Sequence, residues 1–254
     1  MNQKELKTIA EDCVAKIIGG DFSTSPYKHL VVDNFLPDDL AHSCIDSFPA
    51  LNSSLWEHEN DCDIEVKSRT VWGSEFDVPE NIIDAVKVLN SASILKAFSE
   101  VFNIPKLIAD SYFTGGGLNV TQTGGLLDVH VDGNYHDATG LNRRMNALIY
   151  LNPGWEESWG GEFGLYNNDG SELVKKVPPV FNRLVVFDSH DHSYHGLPDP
   201  ISFPEGCDRK SIILYYYTKE KRPSSQILVD EPHSALWVKR GVKDKRGNLK
   251  RKFS

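Results

Sequence analysis

Cysteine is sparse in this chain of 254 residues, and Cys13, Cys44, Cys62 and Cys207 lie scattered with no C-x-x-C pair. That argues against a disulfide framework or a thiolate zinc site, and fits reduced thiols in a cytoplasmic setting. Long apolar runs are also missing. No stretch approaches the roughly 18 residues of a membrane span. The opening residues, Met1 to Ala10, carry Lys4, Glu5 and Lys7 with no apolar segment behind them, so neither membrane insertion nor Sec-type export is expected. Basic charge is short as well: 27 Lys and Arg against 36 Asp and Glu leave a net charge of -9. The deficit is uneven, because the sixteen residues from Lys239 carry +7 and the remainder -16. Phosphate-backbone affinity comes from Lys and Arg neutralising phosphates, so an acidic body of this kind is not expected to bind nucleic acid. No internal repeat and no Pro/Ser/Gly-rich linker interrupt the chain, which favours one domain.

The chain begins with helical periodicity. Leu6, Ile9, Ala10, Cys13, Val14, Ile17 and Ile18 form the stripe of an amphipathic helix ending at Gly19-Gly20. A short strand is predicted over 28–33, and a helix from Pro37 to just before Pro49, with Asp38 and Asp39 in its first turn. After a polar stretch from Asn52 to Thr70, one or two helices are predicted over 82–102, broken at Asn90-Ser91. The first third thus reads as helical with one strand. Beyond Pro105 the texture becomes β. Short β-branched or aromatic segments at 108–113, 117–122, 126–132, 144–151, 162–166, 172–177, 183–188 and 209–218 are separated by Gly, Asn, Asp or Pro turns. The expected class is α+β, mainly β, a sandwich, jelly roll or barrel with N-terminal helices. The expected organisation is a helical front (1–104), a β core (105–218), an extension (219–238) and a basic tail (239–254). Within the extension, residues 231–237 read as an apolar anchor for the barrel.

Three features of the β half stand out. His130-Val131-Asp132 places an imidazole and a carboxylate at i and i+2, on one face of a strand, where both can reach one metal ion. Taken alone, H-x-D is equally the sequence of a solvated strand end. A histidine-rich segment follows the strand 183–188 and offers His190, His192 and His195. Two histidines and one carboxylate on one face of a metal leave the other positions open, as in non-haem iron oxygenases. Spacing does not choose among the three, and His192 and His195 could also be an i, i+3 pair on a helical turn. Finally, Arg209-Lys210-Ser211 opens the last long strand, with Arg209 and Ser211 on a shared face, a guanidinium beside a hydroxyl suited to a carboxylate.

In order and spacing, GGLLDVHVDG (124–133), NRRMNALIYLNPGWEESWGGEFGLYN (142–167), FNRLVVFDSHDHSYHGLPDP (181–200) and RKSIILYYY (209–217) resemble the Fe(II)- and 2-oxoglutarate-dependent dioxygenases, in their prolyl 4-hydroxylase-like branch. PYKHLVVDNFLPDDLAHSCIDSFP (26–49) looks like the family's entry segment. The resemblance implies a double-stranded β-helix, a jelly-roll or cupin-like barrel with the helices packed on it, forming a single dioxygenase domain over 1–238. It implies Fe(II) held by His130, Asp132 and His195, with 2-oxoglutarate and O2 as cosubstrates and ascorbate as a supporting reductant. Arg209 then matches the residue that pairs with the far carboxylate of 2-oxoglutarate, with Ser211 beside it and Tyr150 hydrogen-bonding the same group. Asn146 and Leu148 share the parity of Tyr150 and are expected to face the pocket, as is Arg144 unless it forms a strand-end salt bridge.

The activity so implied is hydroxylation of an unactivated C–H bond with release of succinate and CO2. Its substrate is peptidyl proline or else a small metabolite, glycan or lipid precursor, and the chain is a monomer or homodimer. Two departures bear on the substrate. Relatives that hydroxylate proline carry a tyrosine upstream of H-x-D, where this chain has Asn119-Val-Thr-Gln-Thr123, and the segment from His195 to Arg209 is lengthened by a loop at 203–207. A non-catalytic cupin-like metal-binding protein and a zinc hydrolase remain alternatives. Trp155 and Trp159 read as a packed turn, and His136 and Asp137 as part of a mobile, solvated loop between Gly133 and Asn142, or else a lid.

Overall fold

The computed structural model describes residues 1–239 and 241, so most of the basic tail expected over 239–254 lies outside the described residues. Its helices are α1 (Gln3–Ile18), α2 (Asp38–Asp46), α3 (Glu80–Leu89) and α4 (Ala92–Phe102). A capping box starts α1: the Asn2 side chain accepts from the Lys4 and Glu5 amides while the Glu5 carboxylate accepts from Asn2 N–H. The predicted stripe is buried at Leu6, Ile9, Ala10, Cys13 and Ile17 and half-buried at Val14, but Ile18 ends the helix exposed. Ser91 caps α4 by accepting from Ile94 N–H, which makes the break at Asn90-Ser91 a boundary between two helices.

Among the described residues, fourteen strands form one curled, antiparallel sheet. They are β1 (Asp21–Ser23), β2 (His29–Val32), β3 (Trp56–Asp61), β4 (Glu65–Thr70), β5 (Ile108–Ala109), β6 (Gly117–Thr121), β7 (Leu126–Val131), β8 (Asn142–Tyr150), β9 (Phe163–Tyr166), β10 (Leu173–Val177), β11 (Arg183–Asp188), β12 (His195–Leu197), β13 (Arg209–Thr218) and β14 (Leu236–Trp237). The main path runs β1-β2-β11-β8-β13-β6-β4-β7-β12-β9-β10, with β3 on β4, β5 on β13 and β14 on β7. The front third therefore holds four strands rather than one. The hairpin β3–β4 escaped the hydrophobic pattern because Glu57, His58, Glu59, Lys67 and Arg69 make it charged. What makes it a strand pair is the edge that β6 and β7 offer to β4.

The central strands are buried on both faces. From β8, β11 and β13, the residues Met145, Ala147, Ile149, Leu184, Val186, Ile212, Leu214 and Tyr216 pack against the helical layer, where Tyr216 donates to Leu89 O and meets the ring of Phe98. The alternate set, including Asn146, Leu148, Phe187, Ser211, Ile213 and Tyr215, lines a cavity inside the curl, and Tyr150 packs beside it with Leu148, Phe163 and Phe187. Period-2 alternation thus separates a mainly apolar layer under the helices from a cavity lined by both polar and apolar side chains.

Candidate active site

The strand β7 carries His130 inward, and Asp132 follows at its end. Antiparallel pairing sets His195 of β12 directly opposite His130. Cross-strand partners project to the same face, and the two rings lie 4.4 Å apart. His130 Nε2 is 3.7 Å from Asp132 Oδ1, and His195 Nε2 is 3.4 Å from Asp132 Oδ2. One donor atom from each of the three falls within 4.8 Å of the others.

Local hydrogen bonds set the tautomers. His130 Nδ1–H donates to Asp128 O at 2.8 Å, and His195 Nδ1–H donates to Ser193 O at 2.9 Å. Each Nε2 is therefore left with a lone pair towards Asp132, the arrangement a metal ligand requires. Burial pushes the His195 pKa down to about 4, so its neutral form persists at physiological pH. Burial alone would raise the Asp132 pKa, but His195, His130 and Arg143 outweigh it and hold the carboxyl well below the usual carboxylate range. Asn146 Nδ2 donates to Asp132 Oδ2 at 2.6 Å, which fixes that carboxylate.

A second cluster shares the cavity. Arg209 is 5% exposed, and no carboxylate of the described residues pairs with it. Its Nε–H donates to Gly161 O at 2.7 Å, and its Cζ lies 4.9 Å from the Tyr150 ring centroid. The hydroxyls of Tyr150 and Ser211 and the Oδ1 of Asn146 are buried without a hydrogen-bond partner. An unpaired buried cation ringed by orphaned polar atoms calls for an anion with several oxygens. The donor set thus fits both a divalent metal at His130, Asp132 and His195 and a carboxylate at Arg209, Tyr150 and Ser211. Asn146 faces the cavity as expected, but its amide acts on Asp132.

The remaining residues of interest take these places. His190 is buried and turned edge-on to Tyr27, and burial, aided by Arg222, drives its pKa down to about 3. His192 faces Asn168 O, and it forms no helical turn with His195, which lies in β12. Arg144 does not line the cavity; it lies buried near Asp188. The reason is a bulge: Tyr216 pairs with Met145, but Tyr217 pairs with Arg143, so Arg144 is the extra residue and parity reverses there. Arg143 instead stacks on Tyr215, 4.0 Å from its centroid. His136 is buried rather than solvated, bound through Nε2 to Asp110 Oδ1 at 3.0 Å, although Asp137 to Gly140 are exposed. Trp155 and Trp159 pack with Phe203 in a satellite apolar cluster. Lys67 of β4 lines the cavity unforeseen, because its hairpin carries no apolar signal.

Fold and site together define a curled antiparallel sheet with a few helices that carries a two-histidine, one-carboxylate cluster, the ligand set of non-haem iron sites. Residues 116–217 match the model of the 2OG-Fe(II) oxygenase superfamily. The chain is similar to prolyl 3-hydroxylase OGFOD1 of Mus musculus, 33% identical over 86 residues, 32% of this chain and 15% of that protein's length. It therefore spans only a small part of the curated relatives that it matches. Among solved structures, it is similar to a prolyl hydroxylase from Trichoplax adhaerens in complex with a hypoxia inducible factor peptide fragment, with TM-score 0.60 and 18% identity, covering 85% of this chain and 94% of that one. A Pseudomonas putida prolyl-4-hydroxylase gives TM-score 0.57 and 19% identity, covering 84% of this chain and 100% of that one.

Proposed function

We propose that this protein is an Fe(II)- and 2-oxoglutarate-dependent dioxygenase that hydroxylates a peptidyl proline. The observation that carries the reading is the unpaired, buried Arg209 in the same cavity as His130, Asp132 and His195. A metal triad alone would suit a hydrolase or a binding protein, but neither has a use for a buried cation with orphaned hydroxyls beside it. Fe(II) held by His130, Asp132 and His195, with 2-oxoglutarate and O2, would supply oxidative hydroxylation of a C–H bond with release of succinate and CO2. The backbone carbonyls of Asp128 and Ser193 keep both imidazoles in the ligating tautomer. Asn146 holds one oxygen of Asp132, and Gly161 O anchors Arg209 by its Nε–H, leaving the terminal nitrogens beside Tyr150 for the far carboxylate. The charges of a divalent metal, Asp132 and Arg209 would balance the cosubstrate dianion, Lys67 at the cavity wall being paired with Glu65.

The likeness to a prolyl 3-hydroxylase supports peptidyl proline as the prime substrate. In place of the tyrosine of proline-hydroxylating relatives, Asn119 and Thr121 line the cavity, so a different set of side chains meets the ring. Succinate release with Fe(II) and 2-oxoglutarate tests the reaction class, and its stimulation by proline-containing peptides, with oxygen added to the peptide by mass, tests the substrate. No succinate with Fe(II), or hydrolysis supported by Zn(II), would overturn the class. Stimulation by small molecules alone would overturn the substrate.

A further inference from the structure

The end of the described chain reaches the metal strand. β4 pairs with β7 only at Leu126 and Leu127, and beyond that point the same edge of β7 is taken by β14. Leu236 sits opposite Val131 and Trp237 opposite His130, while Val238 N–H donates to Val129 O. The two residues of β14 grip both faces of β7. Leu236 joins Val129, Val131, Tyr166 and Tyr194 on one face. On the other, Trp237 completes a cross-strand row with His195 and His130, its ring 4.5 Å from the His130 imidazole at an interplanar angle of 28°.

The same strap touches the other end of the H-x-D segment. Asn134 N–H donates to His233 O, and Asn134 Nδ2 donates to Glu231 O. A Cβ on Gly133, next to Asp132, would lie 2.9 Å from His233 O, so glycine is needed there for the strap to pass. Trp237 is 2% exposed and its indole N–H has no acceptor.

We propose that Trp237 is a positioning residue of the metal site, its indole fixing the plane of the His130 imidazole, so that docking of the strap over 231–239 and metal binding stabilise each other. This rests on the metal-site assignment above. Reciprocity follows from linkage: whatever factor the docked strap adds to metal affinity, bound metal adds to docking.

The test is Mn(II) binding to the full chain, followed by calorimetry and by the Mn(II) paramagnetic resonance spectrum. Trp237→Ala is expected to weaken binding about tenfold, as loss of an outer partner of a ligand histidine does, and to alter the spectrum. Trp237→Phe, which keeps a ring on His130, is expected to recover most of the affinity. Hydrogen exchange of wild-type residues 231–239 is expected to slow on adding Mn(II), and not to do so in Asp132→Ala. Wild-type affinity and spectrum in Trp237→Ala overturn the proposal. If that variant does not fold, strap exchange unchanged by Mn(II) in the wild type overturns it. A wild-type protein that binds no Mn(II) instead overturns the metal-site assignment itself.

Discussion

Arg209 shows how a single residue can be useful by being incompletely satisfied. A buried guanidinium without a carboxylate is costly in the empty protein and favourable once an anion arrives. Arg209→Ala is therefore expected to weaken 2-oxoglutarate binding about 10- to 100-fold, the worth of a charged hydrogen bond, while Mn(II) still binds; calorimetry with each ligand checks both. Tyr150→Phe and Ser211→Ala remove hydroxyls that have no partner. Both are expected to leave the melting temperature unchanged or raised while lowering affinity for 2-oxoglutarate. Asp132→Ala is expected to abolish Mn(II) binding and succinate formation, and Asn146→Ala to weaken Mn(II) binding about tenfold by freeing the ligand carboxylate. Residue types told much of this in advance, since H-x-D and R-x-S carry their chemistry in their side chains. Spacing alone could not say which of His190, His192 and His195 faces Asp132. Strand pairing decides that, because only His195 stands opposite His130.

At the scale of elements, alternation along β8 sorts the apolar layer from the cavity, and it holds from Met145 to Tyr150. Ile149 is fully buried between sheet and helices. Ile149→Ala is expected to cost about 2–5 kcal/mol in a denaturant unfolding curve, the range for a large-to-small change in a packed core. Alternation fails one residue earlier, at Arg144, because a bulge is a property of two strands together and leaves no mark in either sequence. The hairpin β3–β4 was missed for a related reason. Helices advertise themselves through period and caps, which are local, so α1 to α4 were legible almost to their ends. A charged strand exists only because a neighbour has free backbone groups to pair with, and that neighbour lies far along the chain.

For the whole molecule, one source of acid sensitivity lies where the extension meets the core, and the buried His195 of the cavity acts in the same direction. Asp188, Asp191, Arg222, His190 and His233 interact there, with Arg222 donating to Arg143 O and the Leu228 and Val229 amides donating to Asp191 Oδ2. His190 is held neutral, with its pKa at about 3 against an ordinary 6.5. Between those values the unfolded chain takes up a proton there that the folded protein refuses. Stability from this group is complete above about pH 6.5 and is lost as pH falls towards about 3. Thermal melting of the metal-free protein is expected to decline through that window, and His190→Asn to flatten the decline. A profile unchanged by the substitution would exclude His190 as its source.

The sequence by itself determined the helices, most of the β core and the chemical types at the site, because periodicity, caps and motif spacing are written in near neighbours. The resemblance of the motifs singled out His195, and the strand pairing that sets it against His130 gives the physical reason; only the tertiary structure decided that Arg143 rather than Arg144 turns towards Tyr215, and that the indole of Trp237 lies on a metal-strand histidine more than a hundred positions away. Each depends on which backbone edges pair and in what register. Register is settled by the energy of the whole folded sheet, and no local stretch of sequence contains it.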